Sequence, residues 1–237
     1  MRVSEERYER LEEKPESNRT ERPAMRYRDR RDGGRALAER LRAYAGAKDG
    51  LVLALPRGGV PVGYEVAQAL KLPLDVFVVR KLGAPGQEEL AIGAVASGGI
   101  RVLNEQIVSR LGLNEGEIDA IAEREVEEVS RREKLYRGDK QPVSRGVAGK
   151  TVILVDDGIA TGASMSVAVQ ALRAGDPAKI VVAVPVAAAE NCELLRSEAD
   201  DVICAQMPAR FSAVGEWYQD FKQTTDEEVA ELLGGRD

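Results

Sequence analysis

Apolar residues recur along this chain in two rhythms. Six short, nearly unbroken runs, Leu51–Leu55, Leu74–Val79, Ala91–Ala96, Thr151–Val155, Ile180–Val184 and Asp201–Ala205, have the length of strands buried on both faces. The third is weakened by Gly93. Between several of them the spacing becomes helical. Leu37, Leu41 and Tyr44 recur at i, i+4 and i+7 with Asp32 available as a cap, and Val60–Leu70, Ser164–Ala174, Ala187–Glu198 and Asp226–Leu233 follow the same period. Strands alternating with helices predict an α/β fold, a parallel sheet with helices on both faces. In such sheets ligands sit beyond the carboxyl ends of the strands, so the loops after the strands carry the information.

Three stretches break the alternation. Asn114–Arg137 reads as one long amphipathic helix, with Ile118, Ile121, Ala122, Val126 and Val129 on one side and Asn114 as its N-cap. It belongs to a helical insertion at about 104–149 that ends in a polar connector, Gly138–Lys150. Residues 1–24 are dense in charge and poor in apolar positions, which predicts a mobile tail and leaves 25–237 as the domain. Arg26–Arg35 is strongly basic, with Asp29 and Asp32 interspersed, and reads as a solvated face. After the last core run, 206–234 must return across the strand ends as a hood and a C-terminal helix.

Composition narrows the chemistry. None of the 237 residues is histidine, which removes Ser-His-Asp and Cys-His catalysis and His-based metal sites. A net charge of −6 argues against a nucleic-acid partner. No run of about 18 apolar residues predicts a membrane span, and the charged N-terminus has no apolar leader. The expected location is therefore cytoplasmic, with Cys192 and Cys204 most simply read as buried thiols.

The chemistry concentrates in Val152–Ser164. This stretch begins as a buried strand, turns into the adjacent carboxylates Asp156 and Asp157, and passes through Gly158, Ala160, Thr161, Gly162 and Ala163 before Ser164 opens a helix. Backbone N–H groups in a tight loop at a helix N-terminus cradle anions. Thr161 and Ser164 add hydroxyls, and Gly162 lets the backbone approach a phosphate closely. The two carboxylates suit sugar hydroxyls, or a cation held directly or through water. No Gly-Lys-Ser/Thr follows, so this is not a Walker-type loop. Arg57, Gly58 and Gly59 follow the first run, where an Arg beside two glycines suits an anion, and Arg80-Lys81 end the second.

With these three loops the chain resembles the type I phosphoribosyltransferases over roughly Leu51–Ala205. Arg26–Val229 as a whole also resembles a bacterial group of predicted phosphoribosyltransferases, through Ala54–Val62, Val79–Gly83 and Ala213–Phe221. The resemblance implies that Asp156 and Asp157 take the 2- and 3-hydroxyls of 5-phosphoribosyl 1-pyrophosphate and that Ala160–Ser164 hold its 5-phosphate. It implies that Arg57, Gly58, Gly59, Arg80 and Lys81 serve the pyrophosphate. It further implies Mg2+, a nitrogen acceptor such as a nucleobase, and a homodimer. Ala160 stands where 6-oxopurine enzymes carry an Asp, which speaks against hypoxanthine or guanine. Leu82–Leu90 is where a mobile lid would sit. The acceptor is expected under Met207–Lys222, which gathers Phe211, Trp217, Tyr218 and Phe221 in a chain only 4% aromatic, with Trp217 as the ring to face it. The competing view is that these rings complete a core. A non-catalytic sensor of phosphoribosyl pyrophosphate or a nucleotide, acting on a regulatory partner, is the alternative function.

Overall fold

A computed structural model describes residues 26–138 and 146–234. The expected tail and most of the connector after the long helix lie outside the described residues. The main sheet is built from β1 (Gly50–Ala54), β2 (Leu74–Val76), β6 (Thr151–Val155), β7 (Lys179–Val186) and β8 (Asp201–Gln206). These five strands run parallel in the order β2-β1-β6-β7-β8. The central strand shows why these runs are apolar throughout. Val152 and Leu154 face a cluster with Met165, Val169 and Leu172 of α5 (Ala163–Arg173) and with Cys192 and Leu195 of α6 (Ala189–Leu195). Ile153 and Val155 face the opposite cluster, with Leu37 of α1 (Arg30–Arg40) and Val62, Val66 and Leu70 of α2 (Gly59–Leu70). Both faces are covered, so alternation is lost and the strand reads as a continuous hydrophobic run.

The remaining strands form a separate antiparallel sheet: β3 (Val79–Ala84), β4 (Gln87–Ala96) and β5 (Ile100–Leu103). The second apolar run is therefore divided. Leu74–Val76 stays in the core sheet, and Val79 starts a hairpin that turns at Pro85-Gly86. The segment expected as an irregular lid is largely this hairpin. Gly83 is used in cross-strand packing, since a Cβ there would lie 2.7 Å from the Glu88 carbonyl oxygen, and Gly86 takes φ 72° at the turn.

A short helix, α3 (Glu105–Leu111), leads to α4 (Glu115–Arg137). The N-terminus of α4 carries the expected Asn114 cap, extended to a capping box with Glu117. Ile118, Ala122, Val129 and Tyr136 pack on Leu82, Ile92 and Val95 of the hairpin and on Val229 and Leu232 of α7 (Asp226–Gly234). At its other end Arg137 donates to Asp75 at 2.6 Å, with only 4% and 5% of the two side chains exposed, and so ties α4 to β2.

Two local expectations change. Asp29, not Asp32, caps α1, accepting from the Asp32 N–H at 2.7 Å. Cys192 and Cys204 are joined as a disulfide between α6 and β8 rather than standing as free thiols.

Candidate active site

The two carboxylates lie at the carboxyl end of the central strand β6, where the buried run stops. Asp157 donates its backbone N–H to Asp156 Oδ1 at 2.8 Å, so the pair is folded into one compact turn. Burial raises the Asp156 carboxyl well above the usual carboxylate range, and the charge of Asp157 adds to the rise. Burial also raises Asp157, against the opposing pull of the Arg30 guanidinium.

Beside the acids stands the turn after β1. The Pro56–Arg57 peptide is cis. A Cβ on Gly58 would collide with Asp157 Oδ2, and one on Gly59 would lie 2.8 Å from the Val155 carbonyl oxygen and 3.0 Å from Asp156 Cα. Glycine is required here by close approach: the loops after β1 and β6 touch, and both open on the same edge of the sheet.

Beyond the acids, Ile159 donates to the Val186 carbonyl at 3.0 Å, which fixes the loop to β7. Asn191 of α6 donates to the Ala160 carbonyl. Gly162 adopts φ 78° at the N-cap of α5, and no side chain caps that helix. Ala160, Thr161, Ala163 and Ser164 are exposed. The arrangement is an open helix N-terminus with hydroxyls at its rim, suited to an anion.

The basic residues are not gathered equally. Arg57 is about one-third exposed and lies 3.8 Å from Asp226 at the start of α7. Arg80 and Lys81 are in strand β3 and alternate across it. Arg80 shares a face with Leu82 and pairs with Glu125 of α4 at 2.7 Å. Lys81 is exposed and shares the other face with Val79, which packs toward the α5 cluster. The pair adjacent in sequence is thus split between two sides.

The C-terminal segment does cover the acids. A Cβ on Gly158 would lie 2.6 Å from Val214 Cγ1, and the Tyr218 hydroxyl donates to the Asp157 carbonyl at 2.5 Å. Trp217 is half-buried against Tyr27, Val186 and Tyr218, and its Nε1 is enclosed with no hydrogen-bond partner among the described residues. Its packing matches the core view of these aromatics, while Phe221 and Tyr218 stack at 5.2 Å beside the acids.

Arg30 belongs to the site although the charge pattern places it on a solvated face. Its Nε donates to Asp157 Oδ2 at 2.8 Å, and its guanidinium lies 3.9 Å from the Phe221 ring centroid. No local signal could have found it, because the Arg–Asp contact spans 127 positions. A polar cleft of about 260 Å³ adjoins this arginine, lined also by Asp29, Arg31, Pro61, Lys222 and Glu228.

Comparison with known proteins gives the chain's relatives. Two Mycobacterium tuberculosis proteins, named "Putative phosphoribosyl transferase MT0597" and "Putative phosphoribosyl transferase Rv0571c", are each 45% identical over 205 residues, 86% of this chain and 46% of theirs. The chain thus spans about half the length of these curated relatives. The crystal structure of TT1426 from Thermus thermophilus is similar at a TM-score of 0.77 and 42% identity, covering 88% of this chain and 98% of that one. The family model of the phosphoribosyl transferase domain matches residues 27–220, and the chain belongs to that family.

Proposed function

We propose that this protein binds 5-phosphoribosyl 1-pyrophosphate with Mg2+ and transfers the phosphoribosyl group to a nitrogen acceptor such as a nucleobase, releasing pyrophosphate. The observation that carries the reading is the contact between the Arg57–Gly59 turn and the Asp156-Asp157 pair, with the α5 N-terminus beside them. One edge of the sheet then offers an anion loop, two sugar acceptors and a phosphate cradle.

In this reading Asp156 and Asp157 orient the ribose through its 2- and 3-hydroxyls. The amides and hydroxyls of Ala160–Ser164 anchor the 5-phosphate. The bond from C1 to the pyrophosphate oxygen breaks as the C1–N bond forms, and the acceptor nitrogen sheds its proton to the departing pyrophosphate or to water. Arg57 and Lys81 stabilise the departing negative charge, and Tyr218 and Phe221 shield the acids from water. The resemblance gives Arg80 the same role, but its pairing with Glu125 makes it the weakest of the three. Among the described residues no cluster of three or more His, Cys, Asp or Glu could enclose a metal. Two carboxylates suit a Mg2+ that takes its other oxygens from substrate and water, where it would supply charge neutralisation and a template. We place the reaction in the cytoplasm, in a twofold homodimer, without a nucleic-acid or membrane partner.

Calorimetry with phosphoribosyl pyrophosphate and Mg2+ tests the reading. The double variant Asp156→Asn/Asp157→Asn should lose binding while still unfolding cooperatively, and unchanged affinity would overturn the assignment. The pairing of Arg80 away from the loop favours a second reading, a sensor that binds the donor without turning it over. Pyrophosphate release in a screen of bases and amines separates the two.

A further inference from the structure

We propose that Arg30 is a positioning residue that couples the C-terminal segment to the acidic pair, so that the segment closes over the site only while Asp157 is held. This rests on the functional reading above. Arg30 Nε donates to Asp157 Oδ2 at 2.8 Å, with 12% and 15% of the two side chains exposed, and Nη1 donates to the Lys222 carbonyl at 2.6 Å. The same guanidinium lies over Phe221, Phe221 stacks on Tyr218, and the Tyr218 hydroxyl returns to the Asp157 carbonyl. The contacts form a closed ring: Arg30, Asp157, Tyr218, Phe221 and back to Arg30. A planar fork can hold a carboxylate and a carbonyl at once, which a lysine ammonium on a flexible stem does not reproduce.

The ring is anchored on the side of α1. Tyr27 donates its backbone N–H to the Trp217 carbonyl at 2.9 Å, Gln219 donates to the Tyr27 carbonyl at 2.8 Å, and Asp220 donates to the Arg28 carbonyl at 2.9 Å. The residues leading into α1 therefore run beside 217–220, and Arg30 extends from that seam onto the acids. Arg30 holds the Asp157 carboxylate through Nε at Oδ2. Trp217 belongs to the seam and is the only tryptophan in the chain, so its emission reports on the seam directly.

The test compares Arg30→Met and Arg30→Lys with Arg35→Met, a control on the same helix whose guanidinium pairs with Asp32 and Glu65. Trp217 emission and calorimetric affinity for phosphoribosyl pyrophosphate with Mg2+ are read on each. The wild-type protein should bind the donor and change its emission on binding. Arg30→Met should bind at least tenfold more weakly, with emission red-shifted in the free protein and no longer responsive to the donor. Arg30→Lys, which keeps the charge and guards against a variant that merely misfolds, should recover less than the full affinity and should not restore the donor-dependent emission change. Arg35→Met should match the wild type. Wild-type affinity and response in Arg30→Met or Arg30→Lys would overturn the role of Arg30 alone. Failure of the wild-type protein to bind the donor would overturn the functional reading and this inference together.

Discussion

Single atoms decide the candidate site. Gly58 has no room for a methyl group, because a Cβ there would meet Asp157 Oδ2. Gly58→Ala should therefore cost about 1–3 kcal/mol, the usual range for overpacking. Urea denaturation should show the loss, and donor affinity should fall with it because the group displaced is the carboxylate itself. The split of Arg80 from Lys81 gives a second expectation. Lys81→Met should weaken binding of phosphoribosyl pyrophosphate roughly tenfold more than binding of ribose 5-phosphate, since a charge-assisted contact contributes about 1.5–3 kcal/mol. Arg80→Met should leave that ratio unchanged and cost less than about 1 kcal/mol of stability, because its pair with Glu125 is partly exposed. Calorimetry with the two ligands checks both. If Arg80→Met changes the ratio and Lys81→Met does not, the strand faces have been assigned the wrong way round.

Among the elements, α4 carries the clearest titration. Burial, and then a hydrogen bond to Asp226, raise the Tyr136 hydroxyl from 10.0 to about 12. The fold thus favours the neutral phenol. Its contribution is fully present below pH about 10 and is lost as the pH rises toward about 12. Tyr136→Phe should flatten the fall in stability across that window by about 1–2 kcal/mol, less than the full rise would give because solvent near the hydroxyl screens part of it. Chemical denaturation of both proteins between roughly pH 9 and pH 12 gives the comparison.

The elements also show what a sequence can disclose. The strands of the main sheet were legible because burial on both faces leaves an unbroken apolar signature, and α4 was legible because its apolar stripe is long and its cap is explicit. The hairpin was legible only in its second arm, Ala91–Ala96, because Gly83, Pro85 and Gly86 read as a loop and the pairing of β3 with β4 is encoded by no local pattern. The paired acids at the strand end and the open helix N-terminus after them were legible as one contiguous string. Arg30 and Asn191 were not, since each reaches the site from a distant element.

At the scale of the molecule, stability should be uneven. The strands β1, β6 and β7 lie between two helical layers, and Leu51, Ile153 and Val182 are wholly buried. Two of the three strands of the smaller sheet, β3 and β5, are edges, and its turn at Pro85-Gly86 is exposed. Hydrogen exchange should therefore be slowest in β1, β6 and β7 and faster in β3–β5; equal protection would mean that the two sheets open as one unit. The seam between 27–28 and 217–220 brings the two ends of the family domain together beside the site. The hairpin has a further consequence. As the outer strand of its sheet, β3 presents a row of backbone groups to any other extended chain, an invitation to self-association that proteins commonly discourage with lysine. Lys81 sits on that rim. Removing it to probe pyrophosphate would also remove a deterrent to clumping, so Lys81→Met should become turbid at protein concentrations where Lys81→Arg stays clear.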